Sequence, residues 1–309
     1  MASIFVILGP TSSGKTSLAI KLCKRLGGEI ISADSRQVYE HMDIGTGKRP
    51  VKGGIPIKKH SNHWELDGVK VWGYDVVTPN QFFSVYDFAL FALKKAHELL
   101  GQGKAVFLVG GTGFYIDIFT GKVKPSQIKP NLELRKDLES KSLATLREDL
   151  TSLNLEEYKK IDTQNKVRLI RAIEKTLGEK NPTTPLPYLK NVEFRYFGFT
   201  ADNSFLYKRV DNWLDHIWDN GLVEEVEDLL AGEFRDSLKL RGLVYKSVVS
   251  CLNKELSEVE ARQRAKFDLH AYIRRQKTYF NKNPDIEWFD ISNSADDIEQ
   301  KLYNLISHG

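Results

Sequence analysis

Apolar residues along this chain fall into two periods, and their alternation predicts an α/β fold. Short runs rich in β-branched and aromatic residues at positions 3–8, 29–32 and 105–109 read as strands buried on both faces, the signature of a parallel sheet. Helices are predicted behind residue 16 and from the N-cap Ser84 through Leu100, where apolar residues recur at three- and four-residue steps. Residues 49–72, with paired glycines and an alternating end at Val69–Trp72, predict a β-hairpin excursion. From about Lys122 the pattern becomes charged and helical, with amphipathic segments at 132–138, 143–153 and 167–177. It closes in Pro182, Pro185 and Pro187. Strand character returns at 192–199, followed by a long amphipathic helix over 205–230 and another over 262–280. The architecture expected is a P-loop NTPase-like parallel sheet flanked by helices, with an inserted helical subdomain. The core would occupy 1–121 and 188–309, and the insert 122–187.

Composition narrows the class. The 309 residues are 41% hydrophobic and 28% charged, ordinary for a folded chain that buries one large core. No apolar run reaches the length of a membrane span, so no membrane association is expected. The amino-terminal apolar run has no basic leader and reads as a core strand rather than a signal peptide. Cys23 and Cys251 lie on apolar helical patterns, which suits buried thiols in a reducing cytoplasm. A net charge of +4 does not by itself argue for nucleic acid, but the cations cluster late in the chain. Lys266, His270, Arg274 and Lys277 share one helical face beside Tyr272, Gln276 and Tyr279. Such a basic face with interleaved aromatics suits a phosphate backbone and unpaired bases, or else a solvated surface.

Three strand-end turns carry candidate chemistry. Gly9, Pro10, Thr11, Ser12, Ser13, Gly14, Lys15 and Thr16 fit G-x-x-x-x-G-K-[ST] between a strand and a helix, the context in which that spacing binds phosphate. Its backbone N–H groups and Lys15 would cradle a di- or triphosphate, and the Thr16 hydroxyl can hold Mg²⁺. Asp34, at the end of the second strand, would project toward that loop. It would hold Mg²⁺, accept a proton from a nucleophile, or simply cap a helix. Gly110-Gly111-Thr112-Gly113 forms a third wall. A second glycine turn, residues 42–48, ends in Lys48. His60 and His63 have no third metal ligand near them and are read as surface or RNA-facing.

Together the stretches 9–16, 31–39 (Ile-Ser-Ala-Asp-Ser-Arg-Gln-Val-Tyr), 42–46, 108–115 (Leu-Val-Gly-Gly-Thr-Gly-Phe-Tyr) and 274–278 resemble the bacterial tRNA dimethylallyltransferase family, in the same order and over most of the chain. The resemblance implies transfer of a dimethylallyl group from dimethylallyl diphosphate to N6 of adenosine 37 beside the anticodon. On that reading the P-loop and Arg209 hold the diphosphate leaving group, with Lys15 and Thr16 acting at the departing charge together with Mg²⁺. Asp34 is the general base. Ser35, Arg36, Gln37 and Thr112 face the RNA, and Val167, Arg168, Leu169, Ile170 and Arg171 grip the anticodon stem-loop, while Arg274 and Lys277 follow its phosphates. One catalytic base and one leaving group need only one chain, so a monomer is expected. Where the family carries a second arginine, one turn after Arg209, this chain has Trp213, leaving Lys208 or Arg209 as the substitute cation. The rival reading is a small-molecule or nucleotide kinase that uses the same loop for ATP and Asp34 as base toward a hydroxyl.

Overall fold

The computed structural model describes residues 2–50, 55–126, 128, 130–178 and 185–308. Within these the chain divides into two compact units. One is formed by Met1–Val123 with Pro187–Gly309, and the other by Lys124–Leu186.

The larger unit is built on a sheet of order β3-β4-β5-β2-β6-β1-β7-β8. Strand β1 (Ala2–Leu8) runs into the phosphate-loop sequence and helix α1 (Lys15–Leu26), followed by β2 (Gly28–Ser32). Strands β3 (Ile57–Lys59), β4 (His63–Leu66) and β5 (Val69–Trp72) form an antiparallel meander, and β5 then pairs parallel with β2. The predicted excursion is therefore a sheet extension, because Trp64, Leu66 and Val71 are fully buried and must join the main core. Gly53 and Gly54 of that stretch lie outside the described residues. Helix α2 (Val85–Gly101) starts at a reciprocal capping box between Ser84 and Asp87. Strand β6 (Ala105–Gly110) and helix α3 (Gly113–Phe119) follow.

The smaller unit contains α4 (Leu132–Ser140), α5 (Leu143–Leu153), α6 (Leu155–Lys160) and α7 (Lys166–Leu177). Its core is Leu138, Leu146, Leu150, Leu169, Ile170, Ala172 and Ile173. Glu174 is also fully buried, and it is held by a two-bond pair to Arg135 (2.9 and 2.8 Å) and by Arg171. Pro182 of the predicted closing linker lies outside the described residues.

The chain then returns to the larger unit through β7 (Val192–Thr200) and α8 (Asn203–Ile217). The single long helix predicted over 205–230 is interrupted. Backbone at Asn220 and Gly221 is non-helical, and α9 (Val223–Ala231) is a separate element. Helices α10 (Leu243–Leu252) and α11 (Glu258–Phe280) follow, then β8 (Ile286–Asp290) and α12 (Ala295–His308). Strand β8 pairs parallel with β7, and α12 lies on α1 through Lys21–Asp296 and the Arg25 guanidinium over the Tyr303 ring.

Among the described residues, two of the apolar clusters in this unit bear on the site. One lies under α1 and α12 and includes Phe5, Ile7, Leu18, Leu22, Phe107, Phe197 and Phe289. The other packs α8 to α11 through Leu206, Val210, Leu214, Val244, Leu269 and Ile273, and it also contains Val38, Tyr39 and Met42. The segment after β2 is thus pinned by its apolar residues in a helical core while its polar residues stay at the sheet edge. Cys23 is buried and Cys251 half-buried, and both are free thiols.

Candidate active site

Strand order assembles the site. Strand β6 lies between β1 and β2, paired parallel to both, so the turns leaving the carboxyl ends of all three open on the same edge. The outer two strands are two spacings apart, about 10 Å, with the Gly110–Thr112 turn between them. Close approach is enforced at two glycines. A Cβ on Gly110 would lie 2.1 Å from the Ala33 carbonyl oxygen. Gly9 combines a φ of +143° with a Cβ position 2.5 Å from the Phe199 oxygen. Main-chain bonds Ala33 N–H to Val109 O (2.8 Å) and Thr112 N–H to Ala33 O (3.2 Å) lock the β2 and β6 ends together.

In the phosphate loop, Lys15 Nζ donates to the Pro10 carbonyl (2.6 Å) and to Ser13 Oγ (3.3 Å), folding back over the cradle. Burial pulls its ammonium down to about 8, with the Asp34 charge acting against that shift. Arg209, from α8, donates through Nε to the Ser12 carbonyl at 2.9 Å, and Nη2 lies 3.8 Å from where a Cβ on Gly14 would sit. Trp213, one turn on, instead packs beside Gly47. The arginine of this helix that reaches the loop is therefore Arg209.

Across the edge, Asp34 is half-buried, and its Oδ1 accepts the backbone N–H groups of Arg36 (2.8 Å) and Gln37 (3.4 Å). It caps a turn rather than a helix. Burial pushes its carboxyl up, against those two bonds and the charges of Lys15 and Arg36. The charges of Asp34 and Lys15 are thus coupled across the crevice. Thr112 Oγ1 accepts the Ser35 N–H at 3.1 Å, so the third wall directly holds the Asp34 turn. Arg36 donates to the Lys239 carbonyl (3.1 Å) and lies against Gly242, while Gln37 bonds Ser32 Oγ (2.8 Å) and the Thr46 carbonyl (3.2 Å). Ser35, Arg36 and Gln37 are all half-buried.

Several supporting residues were not legible as such. Glu225 accepts the backbone N–H groups of Asp43 (2.7 Å), Ile44 (2.7 Å) and Gly45 (3.1 Å) and the Tyr245 hydroxyl (2.7 Å). The second glycine turn is therefore filled by a side chain of the same protein. Lys48 is fully buried between the Tyr39 carbonyl (2.6 Å), Asp43 (3.0 Å) and Asp75, a structural cation rather than an exposed one. From α11, Gln276 reaches both the phosphate loop and the Gly111 carbonyl, and Tyr272 bonds Thr112.

The two segments assigned to RNA divide differently from the expectation. Leu169 and Ile170 are 0% and 3% exposed, so they are core residues and cannot touch RNA. Only Val167 and Arg168 of that run are exposed, while Arg171 is held by Glu174 and the Ile128 carbonyl. Leu169→Ala should destabilise the helical unit by roughly 2–5 kcal/mol through the cavity it leaves, read as a lowered midpoint in urea unfolding. The basic face of α11 is not a free cationic track. Arg262 pairs with Asp219, Lys266 with Asp215 (2.7 Å) and His270 with Asp211 (2.7 Å), which zips α11 to an acidic stripe that runs along α8 and just past its end. Lys277 is tied to the Ala201 carbonyl and Asn203, both at 2.9 Å, and exposed Arg274 donates to the Tyr207 hydroxyl at 2.9 Å. His60 and His63 stack on each other at 4.5 Å, and His63 lies tilted against Trp72 at 4.6 Å.

Among the described residues, no three His, Cys, Asp or Glu side chains cluster as a metal cage. Thr16 is half-buried and follows Lys15 in the first turn of α1. One or two oxygen ligands such as its hydroxyl fit Mg²⁺, which fills most of its shell with water and phosphate oxygens. No helix among the described residues is long and apolar enough to cross a membrane.

Comparison with known proteins shows the family. The sequence model described as "IPP transferase" matches residues 37–283, and that described as "Isopentenyl transferase" matches residues 2–55. A tRNA dimethylallyltransferase of Acetivibrio thermocellus is 37% identical over 99% of this chain and 96% of its own length. One of Clostridioides difficile is 36% identical over 93% and 91%. Among solved structures, the full-length tRNA isopentenylpyrophosphate transferase of Bacillus halodurans is 30% identical, with a TM-score of 0.71 over 100% of this chain and 96% of its own. With the phosphate loop, the carboxylate and the threonine wall on one edge of the sheet, and with relatives aligned over almost its whole length, this chain belongs to the tRNA dimethylallyltransferase (IPP transferase) family of prenyl-transferring enzymes.

Proposed function

We propose that this protein transfers the dimethylallyl group of dimethylallyl diphosphate to N6 of adenosine 37 in tRNA, releasing diphosphate. The observation that supports the reading is the convergence of three strand ends, with an anion cradle and a charge-coupled carboxylate about two strand spacings apart. That gap suits a short prenyl chain lying between its departing diphosphate and an incoming amine.

The chemistry asks two things of the chain. The allylic C–O bond breaks as the C–N6 bond forms, so negative charge grows on the diphosphate, where the N–H groups of residues 9–16, Lys15 and Arg209 would receive it. Magnesium, when bound, supplies further charge neutralisation, and Thr16 would hold it. At the other end, Asp34 would take the proton that N6 loses, and the Thr112–Ser35 bond keeps that carboxylate aimed. Adenosine 37 must leave its stack to reach this edge. Ser35, Arg36, Gln37, Val167, Arg168 and Arg274 are the RNA-facing candidates that remain, in a cytoplasmic enzyme acting as a single chain on the anticodon stem-loop.

The test is incubation with labelled dimethylallyl diphosphate, Mg²⁺ and an anticodon stem-loop carrying adenosine at 36, 37 and 38. Labelled N6-prenyladenosine at 37 is expected. ATP consumption with a small hydroxyl acceptor, and no labelled RNA, would favour the kinase.

A further inference from the structure

We propose that Gln276 is a positioning residue that couples the diphosphate cradle to the wall holding the catalytic base, so that filling one subsite prepares the other. The inference rests on the function proposed above and goes beyond it.

Gln276 is 5% exposed, and both ends of its amide are engaged: Oε1 accepts the Thr11 N–H at 2.9 Å, and Nε2 donates to the Gly111 carbonyl at 3.0 Å. The orientation of the amide is chemically fixed, since a backbone N–H only donates and a carbonyl only accepts. Fit is tight as well, because a Cβ on Gly111 would lie 2.3 Å from Nε2. One planar group thus bridges the loop after β1 and the turn after β6, where β1 and β6 themselves have separated.

The bridge continues on both sides. Gly111 precedes Thr112, whose Oγ1 holds the Ser35 N–H beside Asp34, and Tyr272, one turn earlier on α11, also bonds Thr112. On the other side, α11 is zipped to α8, which places Arg209 on the Ser12 carbonyl next to Thr11. A diphosphate that draws the loop N–H groups inward would therefore pull on Thr11, Gln276 and the Thr112–Ser35 wall as one hydrogen-bonded unit. Gln276 is buried behind these groups and touches no reacting atom in this scheme, so its effect is exerted through them.

The full-length protein provides the test. The dissociation constant of a fluorescent anticodon stem-loop is measured without and with saturating magnesium pyrophosphate. In the wild type the two values should differ by roughly fivefold or more, the ordinary range of coupling between sites. Gln276→Met removes both bonds at similar volume and should bring that ratio to about one. At saturation its kcat should fall by roughly tenfold, with each KM altered less. Gln276→Glu keeps an acceptor for Thr11 but has no donor for Gly111. It should lose the coupling too, and it serves if the Met variant does not fold. A ratio of one in the wild type overturns the proposal. So does a variant with a lowered melting temperature but the wild-type ratio, since that residue would be merely structural. If the wild type prenylates the RNA while the variants keep the ratio, the coupling fails and the proposed function stands. If the wild type prenylates no RNA, the function fails.

Discussion

Asp34→Asn should slow prenyl transfer by on the order of 10²- to 10⁴-fold at saturating RNA and dimethylallyl diphosphate, while stem-loop binding changes only a few-fold. The substitution is chosen because Asn retains an Oδ1 able to accept the Arg36 and Gln37 N–H groups, so the turn is preserved and only the proton acceptor is lost. An exocyclic amine is a weak nucleophile, and its proton must leave as the C–N bond forms, which is where a positioned base has its effect. Single-turnover transfer of labelled prenyl measures it, and undiminished transfer would remove Asp34 from the role. The pH profile carries a second sign. Burial raises the Asp34 carboxyl above its ordinary value, so its base form is lost at a higher pH than that of a solvated aspartate. The wild-type rate should therefore climb with pH through a limb displaced upward from about 4, and that limb should be absent from Asp34→Asn.

Lys15→Met should weaken magnesium pyrophosphate binding and lower kcat by on the order of 10²- to 10³-fold, the usual cost of deleting one preorganised group at a developing charge. Lys15 folds onto the Pro10 carbonyl and Ser13 in the loop, so its charge is held in place before any ligand arrives. Its ammonium is drawn down to about 8 by burial. The charged form that attracts diphosphate is therefore present below that pH and is lost as pH rises through it. Calorimetric affinities for pyrophosphate between roughly pH 6.5 and 9.5, wild type against variant, isolate this effect, because titration of the ligand itself is common to both. A constant difference across that range would exclude Lys15 as the titrating group.

How far the residues alone could be read depended on how local each interaction was. The strand, glycine loop and helix of residues 2–26 were legible because all the determinants lie within one β–α unit. The Ser84 cap and three helices of the inserted unit, α4, α5 and α7, were legible for the same reason, while the short α6 was not. The break at Asn220–Gly221 was missed because apolar periodicity continues across it into α9. The cationic face of α11 misled for a different reason. Three- and four-residue spacing reports that charges share a face, but not what that face meets, and here Asp211 and Asp215 of α8 and Asp219 just beyond it meet it. In the same way Leu169 and Ile170 sit inside an otherwise charged helix as its buried stripe, which leaves Val167 and Arg168 outside.

By itself, then, the amino-acid order determined the α/β alternation, the strand, phosphate-loop motif and helix of residues 2–26, and the identity of the carboxylate and threonine at neighbouring strand ends. Those features follow from backbone geometry and from groups a few residues apart. Only the tertiary structure decided that β6 separates β1 from β2, that Arg209 reaches the cradle while Trp213 does not, and that Gln276 joins two loops from 265 and 165 positions away. The physical reason is that a hydrogen-bond donor or a charge acquires its role from its neighbour in space, and which neighbour that is depends on burial and packing summed over the whole chain.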